Sequence, residues 1–338
     1  MREVIWIRRL ALIGAILCFG VVVLGGYTRL SNSGLGCPDW PGCFGHVAPT
    51  GSAEHYATAS DVRKAWVEMI HRYAAGTVGL IVLCIAVLSI RARREPGVSV
   101  RFAIVLLVLI VFQALLGMWT VTLLLKPLIV TGHLLGGLAS FGLMLWLWLS
   151  MRAHDQPVNG VSVLAGNRVM EGGARARMLA GLALAALALQ VFLGGWTSSN
   201  YAAMACPDFP RCQNQWVPDA DYGDAFVLWR GLGINYAGGV LDHPARVAIH
   251  FTHRLGAVLA TLLLLLAAHA AFRGLGTRPR WAGVAVVVAL ALQLTIGVYM
   301  VQQAFPLAIA AAHNAGAALL VAATVWLNRS LRPVADFR

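Results

Sequence analysis

Leu24-Gly-Gly-Tyr-Thr28 followed by Cys37-Pro-Asp-Trp-Pro-Gly-Cys43 returns later in the chain as Leu193-Gly-Gly-Trp-Thr197 followed by Cys206-Pro-Asp-Phe-Pro-Arg-Cys212. Every position in these blocks is displaced by 169 residues. Further on, His71-Arg72 matches His253-Arg254 at an offset of 182, and Gln113, Gly117 and His133 match Gln293, Gly297 and His313 at an offset of 180. Separated blocks in one order do not agree by chance, so the chain reads as a tandem duplication. The step from 169 to 182 places 13 extra residues in the second copy, between Cys212 and His253.

Both copies are built of long apolar stretches. Of 338 residues, 59% are apolar before the 35 glycines are counted, and only 12% are charged. A soluble domain is about 25% charged, so a soluble enzyme, a disordered chain and a nucleic-acid binder are excluded despite the net charge of +12. A spanning helix needs about 20 mostly apolar residues. Eight are expected, approximately at 10–27, 66–90, 102–124, 128–150, 178–197, 247–271, 281–303 and 307–327. The first is about as long as a span and lacks a small-x-small cleavage site, so a removed signal peptide is not expected.

Charge sets the orientation. The N-terminus, 91–101, 151–177, 272–280 and the C-terminus hold 17 of the 26 Lys and Arg and 5 of the 14 acids. The other side holds 9 of each. The positive-inside rule then places both termini in the cytoplasm and the loops 28–65 and 198–246 outside. Cys37, Cys43, Cys206 and Cys212 fall in those outer loops, where disulfides persist. Cys37–Cys43 and Cys206–Cys212 are the expected pairs, with free thiols or a metal site as alternatives. Cys18 and Cys84 lie inside spans and read as small packing residues.

Each copy has four spans, so both enter the membrane in the same sense, related by an axis along the membrane normal. The expected fold is all-α and integral to the membrane: two four-helix bundles, 1–150 and 178–338, joined by a polar cytoplasmic linker at 151–177.

Four of the ten histidines recur by position. His71 and His133 lie on the second and fourth spans, and His253 and His313 on the sixth and eighth. All are five to seven residues inside the outer end of their helix, about 7–10 Å deep. Ionisable groups at that depth face a bundle interior and carry function. Two histidines on facing helices can supply both axial ligands of a haem. Zinc wants three or four protein ligands, and each half repeats only two. Helix-packing histidines are the structural alternative. Gly76, Gly79, Gly132, Gly136, Gly137, Gly256 and Gly316 offer room for a flat macrocycle, although small residues are also common at membrane helix contacts. Arg72 and Arg254 could pair with haem propionates or snorkel to the interface. His46, His55, His154, His243 and His269 have no repeat partner and read as surface residues.

The halves differ at one telling position. Glu68 precedes His71 by three residues and shares its helix face. Its counterpart is His250, three before His253 and a reserve candidate for that ligand position. A charged acid inside a membrane costs on the order of 2.5–3.5 kcal/mol on insertion scales. Glu68 therefore suits proton transfer beside a bound cofactor, or a hydrogen bond across helices.

Gly25-Gly-Tyr-Thr-Arg-Leu30, Ser33-Gly-Leu-Gly-Cys-Pro-Asp-Trp40, Glu68-Met-Ile-His-Arg72, Thr131-Gly-His133, Thr252-His-Arg254 and Ala312-His-Asn314 together resemble the haem A synthase family over nearly the whole chain. The resemblance implies oxidation of one ring methyl of haem O to a formyl group, through an alcohol, giving the haem A of terminal oxidases. It implies a substrate haem in the first half, near His71 and His133, with Glu68 as the reaction-side acid. It implies a permanent haem b in the second half, ligated by His253 and His313, that relays electrons or supports the fold. Two tightly bound axial histidines leave no open position for oxygen. Either one of His71 and His133 is displaced in turnover, or water supplies the oxygen. The competing functions are a di-haem b-type electron carrier, which predicts two similar halves, and a haem transporter or chaperone. A bacterial plasma membrane is the expected location. Contacts with a haem O synthase and a terminal oxidase follow from pathway logic, and no nucleotide-binding motif points to an electron donor.

Overall fold

The computed structural model describes residues 2–49, 58–154, 166–273 and 277–332. The helices are α1 (Arg2–Leu30), α2 (Ala59–Arg91), α3 (Val100–Thr122), α4 (Pro127–His154), α5 (Gly166–Ser199), the four-residue α6 (Tyr222–Ala225), α7 (His243–Phe272), α8 (Thr277–Gln302) and α9 (Leu307–Ser330). All but α6 are long and apolar enough to cross a membrane. Among the described residues there are no β-strands, only isolated bridges between Cys43 and His46 and between Cys212 and Gln215. The eight spans fall where the apolar stretches predict them. Most run a few residues longer, because a helix continues past its apolar part wherever its backbone groups stay paired.

Helix ends follow local chemistry. Ser99 accepts the Phe102 N–H at the start of α3, and the Asp61 side chain reaches back to the Thr58 N–H ahead of α2 (3.1 Å). α3 ends with Leu124 and Leu125 in the left-handed region, and the Leu125 N–H returns to Thr120 O (2.8 Å). α8 ends the same way at Ala304 and Phe305, with the Phe305 N–H on Met300 O (2.9 Å). Such six-to-one bonds satisfy the last carbonyls and reverse the chain within a few residues.

One ring of helices is formed by α1 against α2, α2 against α3, α3 against α4 and α4 against α1. A second is formed by α5, α7, α8 and α9. α1 meets α9, α4 meets α5, and α4 meets α9 across the seam. One apolar core runs through it, including Val22, Phe141 and Met144 on one side and Leu187, Leu264 and Leu327 on the other. Outward faces carry Ile16, Leu80, Val108 and Val288 at 65%, 64%, 63% and 61% exposure. A water-soluble bundle would bury such residues, whereas lipid accepts them. Cys18 is buried as expected, but Cys84 is exposed and faces away from the helix packing.

Polar contacts cross the seam as well, among them Arg329 Nε to Ser150 Oγ (2.7 Å). Arg29 Nη2 donates to Ser198 O (2.7 Å) with its guanidinium over the Tyr201 ring, Asn314 Nδ2 donates to Val22 O (3.0 Å), and Thr131 and Ser199 share a hydroxyl bond (3.2 Å). The longer second loop crosses as well. Lys126, 2% exposed, donates to Gly231 O (2.5 Å) and lies 3.7 Å from the Trp229 ring centroid. The Tyr236 N–H bonds Leu124 O (3.0 Å).

A Cβ at Gly26 would strike the Asn314 amide, whereas one at Gly20 would meet nothing within 4 Å. Gly26→Leu should therefore destabilise the detergent-solubilised protein by roughly 1–3 kcal/mol, seen as a lowered thermal midpoint. Gly20→Leu should leave the midpoint nearly unchanged. Equal midpoints for the two variants would contradict the tight seam.

Candidate functional site

The four repeated histidines all rest against glycines of a neighbouring helix. A Cβ built at Gly25 would lie 2.8 Å from His71 Cε1, and one at Gly117 would lie 3.3 Å from His133 Cε1. In the other half the distances are 3.1 Å from Gly194 to His253 Cε1 and 3.0 Å from Gly297 to His313 Cε1. Any larger residue would take the place of the imidazole. The Leu-Gly-Gly blocks thus belong to the site, although the sequence shows only that they repeat.

His71 and His133 face each other with ring centroids 6.4 Å apart and planes at 85°. Two imidazoles on opposite sides of one metal, each at a metal–nitrogen distance of about 2 Å, have centroids about 6 Å apart. The spacing fits a single iron between them. The backbone of Val21 lies against His71 and that of Gln113 against His133. Neither Nδ1 completes a hydrogen bond, and both are sealed from solvent. A carbonyl beside Nδ1 is the usual support of a histidine that binds metal through its other nitrogen.

Glutamines support the second half. Gln190 Nε2 lies 3.1 Å from both His253 Nδ1 and His253 O. Gln190 Oε1 has no partner. With Nε2 on a metal, His253 Nδ1–H needs an acceptor, and rotation of this amide supplies one. Gln293 Nε2 lies 3.2 Å from His313 Nε2, leaving His313 Nδ1 unpartnered. Of the glycines expected to make room for a macrocycle, Gly136, Gly256 and Gly316 instead lie under Gln113, Gln190 and Gln293. Gly79 lies on Ile110 and Gly137 on Val22, while Gly76 and Gly132 face open space.

Glu68 is buried at 4% exposure. Its Oε1 accepts from Arg72 Nη2 (2.5 Å) and its Oε2 from the Cys37 N–H (3.0 Å). Arg72 Nη1 also donates to Asp39 O (2.8 Å) and Gly42 O (2.6 Å). Glu68 and Arg72 thus clasp the loop that Cys37–Cys43 closes. Both expected disulfides are present, with Cα–Cα distances of 4.8 Å and 4.7 Å. In the second half Arg254 donates to Arg211 O and Cys206 O (2.8 Å each). Both arginines are therefore engaged by loop carbonyls. His250 replaces the carboxylate: it is buried, packs edge-on to the Phe305 ring (6.1 Å) and leaves Nδ1 unpartnered.

His46, His243 and His269 are exposed, in keeping with their surface reading. His55 lies outside the described residues, and His154 ends α4. Among the described residues no group of three or more His, Cys, Asp or Glu is placed to hold a metal ion. Two imidazoles per half suit the axial positions of an iron whose equatorial ligands come from a macrocycle.

The COX15-CtaA family, described as cytochrome oxidase assembly protein, matches residues 8–325. The chain is 40% identical over 337 residues to a protein of Shewanella oneidensis named heme A synthase, covering 96% of each. It is 26% identical over 349 residues to the heme A synthase of Rhizorhabdus wittichii, covering 95% of this chain and 92% of that one. It is 28% identical over 349 residues to the heme A synthase of Caulobacter vibrioides, covering 94% of each.

The loops respond to acid in a defined direction. Partial burial raises the Asp39 carboxyl, but the Gly45 and Phe44 N–H groups and the Arg72 charge outweigh it and hold it below its usual value. Asp208 is lowered in the same way by Asn214, Gln213 and Arg254. A depressed folded-state pKa contributes stability above the unfolded value, about 3.9, that is lost as pH falls through the folded value. Amide exchange at Phe44, Gly45, Gln213 and Asn214 should stay slow at pH 5 and quicken only below about pH 3.9. Loss of protection already at pH 5 would contradict these caps.

Proposed function

The chain belongs to the haem A synthase family, and on that premise we propose how its two halves share one oxidation. The reaction is conversion of haem O to haem A, in which a ring methyl becomes a formyl group through a hydroxymethyl stage. Residues 1–150 take haem O as substrate, with His71 and His133 about its iron. Residues 178–338 keep a resident haem b on His253 and His313, joined to the first half through 151–177. When bound, haem b supplies a one-electron redox centre beside the substrate half. The observation that carries this reading is the facing pair His71 and His133 at 6.4 Å and 85°.

The protein's own groups do three things. Gly25, Gly117, Gly194 and Gly297 seat the imidazoles, and carbonyls and glutamines lie beside them. Glu68, one helical turn from His71, takes up protons released as the methyl is oxidised. Arg72 and the disulfide-closed loop hold that carboxylate in place. The excess of Lys and Arg on the segments that carry both termini supports cytoplasmic termini and haem sites toward the outer face of a bacterial membrane. The contacts across the seam, α1 with α9, α5 with α4, and α4 with α9, pair as an approximate two-fold axis would pair them, which supports the duplication.

The test is mass analysis of haems extracted from protein made in cells that supply haem O. Haem b together with haem O, its hydroxymethyl derivative or haem A is expected. Glu68→Gln should cut the oxidised species by roughly 100-fold or more while haem O stays bound. Two equivalents of haem b, with no haem O or oxidised form, would overturn the proposal and favour a di-haem electron carrier.

A further inference from the structure

Arg246, His250 and His253 are spaced by four and then three residues along α7, so they share one helix face. Arg246 lies seven residues from His253, about 10 Å nearer the loop end of the helix. Arg246 Nε and His250 Nδ1 are both sealed from solvent, and neither has a partner. No carboxylate among the described residues stands within ion-pair distance of Arg246. Its only polar contact with the preceding turn is through the backbone, from Arg246 N–H to Asp242 O (3.1 Å). A buried guanidinium donor and a buried imidazole nitrogen, both without partners, mark a place where a polar group belongs, and with its proton on Nδ1 the imidazole is a second donor. A cation and an imidazole N–H one turn apart suit a carboxylate.

The two arginines that follow the repeated histidines cannot take that part while they hold their loop carbonyls. Arg72 is used by Glu68, Asp39 O and Gly42 O, and Arg254 by Arg211 O and Cys206 O. The first half offers the opposite chemistry at the matching positions. Lys64, the counterpart of Arg246, turns toward Asp61 (3.9 Å), with the two side chains 38% and 40% exposed. Glu68, the counterpart of His250, is buried and is itself a carboxylate.

We propose that Arg246 and His250 form a carboxylate-binding pair that grips a propionate of the haem resident in the second half. The lack of such a pair in the first half leaves the substrate haem free to enter and leave. This rests on the assignment of a haem to His253 and His313. A site that must retain its group thus presents two donors, and a site that must exchange it presents an acceptor.

The test follows haem transfer from the purified holoprotein to excess apomyoglobin, together with the midpoint potential of the low-spin haem. Arg246→Gln should speed loss of the second-half haem about tenfold or more and lower its potential, because an uncompensated carboxylate favours ferric iron. The bis-histidine spectrum should remain until the haem leaves. Arg246→Lys should recover most of the retention, and His250→Ala should shift both readouts in the same direction by less. Unchanged loss and potential in Arg246→Gln, with His253→Ala losing the haem b that extraction recovers from the wild type, would overturn the carboxylate pair alone. Retention of that haem b in His253→Ala would remove the haem assignment and the pair with it. Should Arg246→Gln fail to accumulate, Arg246→Lys and His250→Ala carry the comparison, and wild-type behaviour in both overturns the proposal.

Discussion

Two adjacent glycines on the first helix of each half set the spacing on which everything else depends. Successive helical residues point about 100° apart, so Gly25 and Gly26 clear two neighbouring strips of α1. Over Gly25 sits the His71 ring, and over Gly26 sits Asn314, the residue after His313. Gly194 and Gly195 do the same on α5, with His253 over one and Thr131 and Leu134, which flank His133, over the other. The same dipeptide therefore seats a histidine of its own half and packs beside a histidine of the other. In lipid there is no hydrophobic force to press helices together, and close backbone approach at small residues supplies the contact instead.

The loops at the opposite end from the termini are fastened by charge as well as by small apolar clusters around their disulfides. In each half an arginine following the histidine reaches the carbonyls of a disulfide-closed loop, and an aspartate in that loop caps two amides of its tight turn. These bonds connect the outer loops to the helix that carries a proposed axial ligand. In the first half the chain of contacts includes Glu68, so the position of that acid depends on the loop above it. In the second half the same place is taken by His250, which has no such tie. The two halves share these contacts and diverge at this position, a buried carboxylate in one and an imidazole in the other.

Much of this was legible in the sequence. Eight apolar stretches suffice to read a membrane bundle of eight spans. The physical reason is that lipid imposes a simple rule: a spanning backbone must pair its own polar groups, which a long continuous apolar stretch does as a helix, and ionisable residues inside it are few enough to stand out. Cysteine pairs six residues apart in the same loops led to both disulfides. The role of the glycines was less legible. Gly136, Gly256 and Gly316 looked like space for a macrocycle because glycine marks absence of a side chain without saying what fills the gap, and glutamine fills it.

What the sequence determined by itself is the number of membrane-spanning helices, their order and the recurring histidines, because each follows from local composition and spacing. What only the tertiary structure decided is which groups meet. That His71 faces His133 across 6.4 Å, that Arg72 and Arg254 are spent on loop carbonyls, that Lys126 is buried under the second loop, and that Arg246 and His250 are left with unpaired donors all depend on helix rotation and on contacts between residues tens to hundreds of positions apart. No periodicity records those contacts, because they are fixed by how two rings of helices settle against each other at their smallest residues.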